Sequence, residues 1–205
     1  MNLKTLFKNK RVKYGTILTA CILVGLFLGL IIAYYRELPP LSELEGYKPS
    51  LSSKIYDINE NLIAQLFVEQ RTLVPLYKVP RILQESIIAV EDENFYQHWG
   101  IDLGGIARAF MINILHRKIE QGASTITQQL ARNLFLTQER TISRKIKEAM
   151  LAIKIEYRYT KREILEMYLN QVYFGSGSYG VEAASRTYFG KHIEELTLPE
   201  CALLT

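Results

Sequence analysis

The stretch from residue 142 to residue 169, ISRKIKEAMLAIKIEYRYTKREILEMYL, indicates the fold class of this chain. Thr160 followed three residues later by Glu163 is a capping-box signature, so it predicts that a helix begins there. The first half carries apolar residues at helical spacing: Ile142, Ile146, Met150, Ile153 and Tyr157. The second half carries four apolar residues that we expect to face inward: Ile164, Leu165, Tyr168 and Leu169. Two helices in close succession predict a mainly helical domain.

The segments before this stretch continue the helical pattern and add one short β-structure. Two earlier helices are predicted from apolar positions: Ile82, Leu83, Ile87 and Val90 in one, and Ile106, Phe110 and Ile114 in the other. The segments Ile55–Ile58 and Leu62–Val74 are rich in β-branched and aromatic residues and flank the turn-like Asn59-Glu60-Asn61. They predict a β-ribbon. Internal repeats and βαβ alternation are absent from the sequence.

The N-terminal region predicts a membrane anchor. Gly15 to Ala33 is a run of 19 uncharged residues, which as a helix spans ~30 Å, the thickness of a bilayer's hydrocarbon core. The five cations that precede it predict a cytoplasmic N-terminus: Lys4, Lys8, Lys10, Arg11 and Lys13. A cleaved signal peptide is the alternative, although the run exceeds the usual ~7–15 residues and no small-residue cleavage site precedes Tyr34.

These features predict four regions: a basic tail over residues 1–13, a transmembrane helix over 14–35, a Pro- and Ser-rich linker over 36–53, and a folded domain over 54–205. The hydrophobic share of 48% in 205 residues supports a packed core and argues against disorder. Two cysteines do not make a disulfide scaffold, and the three histidines form no cluster in the sequence that would suggest zinc. Beyond residue 35 the chain has 20 cations against 21 acids, which disfavours general nucleic-acid binding.

Residues 91–100, EDENFYQHWG, are the first candidate for chemistry. Three acids end an apolar helix there and run directly into aromatic residues. A Glu91 carboxylate beside Phe95, Tyr96 and Trp99 would be partly desolvated, and burial raises a carboxyl pKa toward the range of a general base. The alternative is a solvated helix end without a catalytic role.

The segment from Arg117 to Arg162 is the second candidate, because it carries 11 cations against four acids. Arg140, Arg144 and Glu148 are spaced at four-residue intervals, which places them on one face of a helix. The pattern fits a salt-bridged, exposed face. It fits equally a clamp for a phosphorylated ligand, which beside a membrane would be a lipid headgroup or a polyprenyl diphosphate.

Two further motifs leave alternatives open. Residues 122–129, GASTITQQ, offer hydroxyls and amides that suit sugars or phosphates, but they suit equally the cap of the helix that continues through Leu134. Residues 175–180, GSGSYG, match GxGxxG, the glycine pattern of dinucleotide-binding sites. That pattern requires a preceding strand, whereas here it follows a predicted helix, so we expect a glycine-rich turn.

Five motifs in this order resemble the peptidoglycan glycosyltransferases of glycosyltransferase family 51. EDENFYQHWG is similar to the EDxxFxxHxG motif of that family, GASTITQQ to its second motif and RKIKE to its RKxxE. KREILEMYLN is similar to KxxILxxYLN, and RTYFGK to the last motif. The resemblance covers roughly residues 50–205. The segments around the motifs, such as GSGSYGVEAA and LTLPECALL, are most similar to class A penicillin-binding proteins of the 1A type.

The resemblance implies a lysozyme-like helical domain with a smaller, membrane-hugging lobe. It implies a reaction outside the cytoplasmic membrane that joins lipid II to a growing glycan strand. In that reaction the 4-hydroxyl of the acceptor attacks the anomeric carbon of the lipid-linked donor and expels undecaprenyl diphosphate with inversion. By match to the motifs, Glu91 is the general base. Glu148 is the second carboxylate, near the donor diphosphate and a divalent cation such as Mg²⁺.

The same resemblance implies the remaining candidate site residues and partners. The predicted substrate-binding residues are Asp92, Phe95, His98, Ser124, Thr125, Gln128, Gln129, Arg132, Arg140, Arg144, Lys145, Asn170 and Arg186. The implied partners are lipid II, the glycan strand, the cytoplasmic membrane and other cell-wall synthesis proteins. The implied location is a single-pass protein of the inner membrane with an extracytoplasmic catalytic domain.

Two departures from the family pattern affect these expectations. Arg132 stands where many relatives have Lys, and its fork of donors is not equivalent to an ammonium group. The chain also ends at Thr205, inside what the family continues as a helical region, so we expect a fragment of a bifunctional protein or a monofunctional transferase. A glycan hydrolase and a non-catalytic scaffold are the rival functions.

Overall fold

The computed structural model describes residues 10–40, 53–59, 62–66, 70–116, 122–137, 139 and 141–205. The chain divides into two compact units, Met1–Leu38 and Pro39–Thr205, which are described separately below. Arg140, one of the predicted site residues, lies outside the described residues.

The described part of the first unit is one long helix, α1 (Lys10–Arg36). Its segment Tyr14–Arg36 has 23 residues, and an 18-residue stretch within it has a mean hydropathy of 2.7. At 1.5 Å per residue such a segment is ~34 Å long, which exceeds the ~30 Å of a hydrocarbon core. The helix is therefore long and apolar enough to cross a membrane, and it is the one such helix among the described residues.

The second unit is mainly helical, as predicted. Its strands are β1 (Ser53–Tyr56), β2 (Leu62–Leu66), β3 (Gln70–Arg71) and β4 (Ser178–Tyr179). Its α-helices are α2 (Arg81–Glu91), α3 (Leu103–His116), α4 (Ile126–Phe135), α5 (Ile142–Arg158), α6 (Lys161–Gln171), α7 (Val181–Phe189) and α8 (Leu198–Leu203). Short 3-10 turns occur at Leu76–Lys78 and Ile193–Glu195.

The predicted β-ribbon is confirmed, although it is shorter than expected. Strands β1 and β2 pair antiparallel, with Ser53 opposite Leu66 and Ile55 opposite Ala64. The side chain of Asp57 accepts a hydrogen bond from the Asn59 amide at 2.8 Å, which stabilises the turn. Of the predicted second strand, Leu62–Leu66 forms β2, and Gln70–Arg71 forms β3, which pairs in parallel with the distant β4.

The core of the second unit forms where α4 packs against α5 and α6. Each of these helices begins at a threonine whose hydroxyl accepts a backbone N–H of the first turn: Thr125, Thr141 and Thr160. The capping box predicted at Thr160 and Glu163 is confirmed. The four residues predicted to face inward on α6 are fully or almost fully buried.

The apolar stripe predicted on α5 lies on the opposite face from the core. Leu151, Ala152 and Ile155 are buried, whereas the residues of that stripe are exposed or half-exposed. Helix α3 shows the same pattern, because Ala109 is buried while Ile106, Phe110 and Ile114 are exposed. Both helices are apolar on more than one face, and sequence periodicity alone does not show which face meets the core.

A tight loop over residues 92–102 joins α2 to α3 and lies against α5 at Gly100. Gly100 has a φ of +88°, and a Cβ at this position would lie 2.9 Å from the carbonyl carbon and oxygen of Ala152. A side chain here therefore faces both a left-handed backbone and a backbone clash. The absence of a Cβ lets the loop approach α5.

The Gly100→Ala substitution tests this close approach. We expect it to lower the free energy of unfolding by about 3 kcal/mol, since strain and overpacking add. Gly177→Ala is the matched control, because Gly177 also has a positive φ, +75°, but open space around it, so we expect a loss of only about 1 kcal/mol. Denaturant unfolding of both variants in detergent measures the difference, and equal losses would contradict the packing argument.

Candidate active site

A cavity of about 520 Å³ lies between the C-terminal end of α2, the N-terminal end of α3 and the N-terminal part of α4. Six predicted site residues line it: Glu91, Asp92, Ser124, Thr125, Gln129 and Arg132. The structure thus gathers residues of the first two motifs around one cavity.

Glu91 is the last residue of α2, and its carboxylate is exposed in the cavity. Gln129 Nε2 donates a hydrogen bond to Glu91 Oε2 at 2.8 Å. Of the two alternatives that the sequence left open, the structure shows Glu91 at an exposed helix end rather than desolvated by the aromatic residues. Phe95 is fully buried in the core, while Tyr96 and Trp99 are exposed to solvent. The helix ends at Glu91, so residues four positions further on do not lie above it.

Asp92, the next residue, is the buried carboxylate of this motif. Its Oδ2 accepts a hydrogen bond from the Ile126 amide of α4 at 2.9 Å. His98 Nε2 lies 2.9 Å from Asp92 Oδ1, and His98 Nδ1 accepts the Gly100 amide at 3.1 Å. Because Nδ1 accepts a hydrogen bond, Nε2 carries the proton and donates a hydrogen bond to Asp92. Asp92 and His98 therefore fix the loop to the N-terminus of α4 rather than facing the cavity with free groups.

The GASTITQQ motif forms a helix cap, one of the two alternatives that the sequence left open, and part of it also lines the cavity. Thr125 and Gln128 form a reciprocal capping box at the start of α4, and the Thr125 hydroxyl also donates to the Gly100 carbonyl at 2.7 Å. Gln128 is buried in that cap and is not part of the cavity wall. Ser124 lies on the cavity wall, where its hydroxyl oxygen accepts a hydrogen bond from Lys145 Nζ at 2.7 Å.

Glu148 is buried on α5 and paired with two cations of the RKIKE motif. Its Oε2 accepts a hydrogen bond from Lys145 Nζ at 2.8 Å, and its Oε1 lies 2.7 Å from Arg144 Nη1. The Arg144–Glu148 pair is the part of the predicted stack on α5 that the described residues include. Lys145 thus contacts both the buried Glu148 and Ser124 on the cavity wall. Almost half of the Lys145 side chain is exposed.

The donor set at Glu148 does not fit a resident divalent cation. Both carboxylate oxygens already face cationic groups, which repel a metal ion. In the part of the chain that the structure describes, His, Cys, Asp and Glu side chains form no group of three that could hold a metal. Any divalent ion at this position would require ligands from the substrate.

Besides Gln128 and the residues paired with Asp92 and Glu148, three more predicted site residues are not on the cavity wall. Phe95 is in the core, where Lys161 Nζ lies 4.5 Å from its ring centroid. Asn170 bonds both the amide and the carbonyl of Val74, each at 2.8 Å, and so fixes that segment to α6. Arg186 donates to the buried Glu182 at 2.7 Å on α7. These contacts are structural.

The sequence did not single out the wall of the cavity that α3 supplies. Asp102 Oδ2 accepts from Asn94 at 3.0 Å and its Oδ1 from the Gly105 amide at 2.9 Å, and these bonds hold the pKa of Asp102 below its usual value. Arg108 lines the same wall and lies 3.3 Å from Glu93. An Asp two residues before a glycine pair was the available signal, since it marks a helix start.

The family model described as Transglycosylase matches residues 59–205. Because the match covers more than half of the sequence, the chain belongs to the transglycosylase family, and the resemblance drawn from the five motifs is confirmed.

Similar proteins agree with this family. The chain is 50% identical over 186 residues to penicillin-binding protein 1A of Aquifex aeolicus, covering 89% of this chain and 26% of that protein. It is 45% identical over 204 residues to penicillin-binding protein 1A of Rickettsia felis, covering 98% and 25%. The crystal structure of penicillin-binding protein 1A from Haemophilus influenzae is 25% identical, covers 77% of this chain and 14% of that chain, and gives a TM-score of 0.38. The chain spans about a quarter of the length of these curated relatives.

The Asp92→Asn substitution tests the attachment of the loop to α4. An amide at this position places an NH₂ group against one of two buried donors, so we expect a loss of about 2 kcal/mol in the free energy of unfolding. Glu93→Gln is the control, since Glu93 is exposed and, among the described residues, makes a long contact to Arg108; we expect a change below about 0.5 kcal/mol. Denaturant unfolding compares the two, and an unchanged Asp92→Asn variant would contradict the assigned contacts.

Proposed function

We propose that this chain is a peptidoglycan glycosyltransferase that polymerises lipid II into glycan strands and releases undecaprenyl diphosphate. The observation that carries the proposal is the cavity with a carboxylate, Glu91, and cationic groups around the same space. Arg132 lines this cavity, and Lys145 reaches it through Ser124. A base and a cluster of cations are the two elements that transfer from a diphosphate donor requires.

Glu91 is the base in this proposal. Gln129 holds Oε2, so we assign Oε1 as the atom that takes the proton of the acceptor's 4-hydroxyl. As that proton leaves, the hydroxyl oxygen forms a bond to the anomeric carbon of the donor. The bond from this carbon to the diphosphate oxygen breaks on the opposite side, and its electron pair goes to the diphosphate. Attack opposite the leaving group gives inversion.

The cations stabilise the charge that develops on the leaving diphosphate. Arg132 offers bidentate donors from α4, and Lys145 is held toward the cavity by Ser124 on one side and Glu148 on the other. We expect Arg140, outside the described residues, to add to this group. Since a diphosphate leaves as an anion, it needs charge neutralisation more than protonation. A glycosidase needs an acid to protonate its leaving oxygen instead, so the cationic wall favours the transferase over the hydrolase.

A membrane location fits the lipid-linked substrate. We propose that α1 is a single anchor with its N-terminus in the cytoplasm, supported by the five cations before its apolar segment. Helix α3 adds an apolar surface on the second unit that could lie against lipid: Leu103, Phe110, Met111, Ile114 and Leu115 are exposed. The catalytic domain then lies outside the cytoplasmic membrane, where glycan strands are needed.

The Glu91→Gln substitution tests the proposed function. With the detergent-solubilised chain, labelled lipid II and Mg²⁺, we expect polymer from the wild type and a loss of at least ~100-fold in the variant, because the general base is removed. Glu85→Gln is the matched control: Glu85 is an exposed acid on the same helix and pairs with Arg81. Separation of the products by length provides the measurement.

Each rival function gives a different product. A hydrolase would shorten finished glycan and make no polymer, and a scaffold would do neither. Polymer from the Glu91→Gln variant at the wild-type rate would remove Glu91 from the mechanism, and absence of polymer from the wild type would contradict the proposal for this chain.

The role of Glu148 gives a prediction about Mg²⁺. Because Glu148 is engaged by Arg144 and Lys145, we expect Glu148→Gln to lower the rate by releasing Lys145 from its position. The Mg²⁺ concentration that gives half the maximal rate should stay within about twofold of the wild-type value, a binding change below ~0.4 kcal/mol. A Mg²⁺ titration of both proteins measures this, and a tenfold higher requirement in the variant would identify Glu148 as a metal ligand.

A further inference from the structure

Three side chains from three helices form a hydrogen-bonded chain that ends at the proposed base. Glu91 ends α2, Gln129 lies in the first turn and a half of α4, and Tyr168 lies in the middle of α6. The Tyr168 hydroxyl donates to Gln129 Oε1 at 3.3 Å, and Gln129 Nε2 donates to Glu91 Oε2 at 2.8 Å. We propose that Tyr168 and Gln129 are positioning residues that hold the Glu91 carboxylate for proton transfer; this inference rests on the proposed function.

We call the hydrogen-bonded chain from Tyr168 through Gln129 to Glu91 the relay. The chemistry of the three groups fixes which of them donates each hydrogen bond. An ionised carboxylate only accepts hydrogen bonds, so the amide of Gln129 must turn its NH₂ group toward Glu91. The carbonyl oxygen of Gln129 then faces Tyr168, which must donate. Tyr168 is well suited to this role because burial, together with the negative charge of Glu91, raises the pKa of its hydroxyl and keeps it protonated.

Glu91 lies where its side chain needs a contact that restricts its conformation. Glu91 is exposed at the end of a helix, where a Glu side chain has several rotamers available. Within the described part of the chain, Gln129 supplies the hydrogen bond to its carboxylate. Misplacement of a reacting group by ~1 Å can cost ~100-fold in rate, so a device that selects one rotamer has a large effect on turnover.

The charges around Glu91 do not replace this contact. Besides Glu91, the charges of Arg132 and Asp92 also affect the pKa of the Tyr168 hydroxyl. Arg132 lines the same cavity as Glu91. Asp92 is directed to the Ile126 amide and His98. Arg132 is a long cation that attracts the carboxylate without fixing which oxygen it presents. Gln129 binds Oε2 specifically, which leaves Oε1 for the acceptor proton.

The alternative is that Tyr168 is only a core residue, since it lies on the buried face of α6 and is 2% exposed. The Tyr168→Phe substitution separates the two roles, because it keeps the ring and removes only the hydroxyl. With labelled lipid II, we expect kcat to fall ~10-fold while KM stays within about twofold, as the lost interaction acts on proton transfer rather than on substrate binding. The melting temperature should shift by no more than about 3 °C.

A double-mutant cycle gives the decisive comparison. Gln129→Ala should lower kcat by ~100-fold, and adding Tyr168→Phe to it should cause no further loss, because the tyrosine acts only through the amide. Tyr157→Phe is the matched control, since Tyr157 is an exposed tyrosine on the face of α5 opposite the core. Wild-type kcat in Tyr168→Phe, or a full tenfold further loss in the Gln129→Ala background, would overturn the relay.

A readout without turnover separates the relay from the proposed function. The Gln129 side-chain amide gives a ¹⁵N-correlated NMR signal, which the Gln129→Ala spectrum identifies by its absence. We expect Tyr168→Phe and Glu91→Gln each to move this signal and Tyr157→Phe to leave it in place. If the wild type makes no polymer, the proposed function fails, while the NMR comparison still decides the relay: an unmoved signal in Tyr168→Phe overturns it.

Discussion

The buried carboxylate of Asp92 is the contact on which the geometry of this site depends. It joins two segments that are 34 residues apart, since it accepts the Ile126 amide at the N-terminus of α4 and the Nε2 proton of His98. A carboxylate suits this position because the first amides of a helix have no partner within the helix and carry partial positive charge. Glu91 is its direct neighbour in the chain. The bond that fixes Asp92 therefore also places the proposed base beside Ser124, Gln129 and Arg132.

The EDENFYQHWG motif thus has two functions divided between adjacent acids. Asp92 and His98 hold the loop, Phe95 anchors it in the core, and Gly100 allows its backbone to lie against Ala152. Glu91 and Glu93 of the motif line the cavity with exposed side chains, and Glu91 is the one whose carboxylate accepts a hydrogen bond from Gln129. A similar division holds on α5, where Glu148 is buried and Lys145 carries its charge toward the solvent. In both cases a buried acid orders the group that we propose to act on the substrate.

The sequence predicted the features that depend on neighbours in the chain. The cap at Thr160, the ribbon of β1 and β2 and the placement of Arg144 and Glu148 on one helix face are all set within a few residues. It did not predict which face of α5 is buried, because that helix is apolar on two faces and the packing of α4 and α6 decides between them. The contacts from Asp92 to Ile126 and from Tyr168 to Gln129 join distant segments, so no local sequence pattern predicts them. The sequence left open whether Glu91 is partly desolvated or lies at a solvated helix end, and the structure shows an exposed Glu91 as the last residue of α2.

The central claim is that Glu91 and the cations beside it act on opposite ends of one reacting bond. The most direct test is a structure of the Glu91→Gln variant with lipid II bound. We predict that the diphosphate contacts Arg132 and Lys145, and that a sugar hydroxyl lies within about 3.2 Å of the side chain at position 91. The second unit has another cavity, lined by Lys78, Arg186 and His192 among others. A diphosphate bound in that cavity instead would contradict the account.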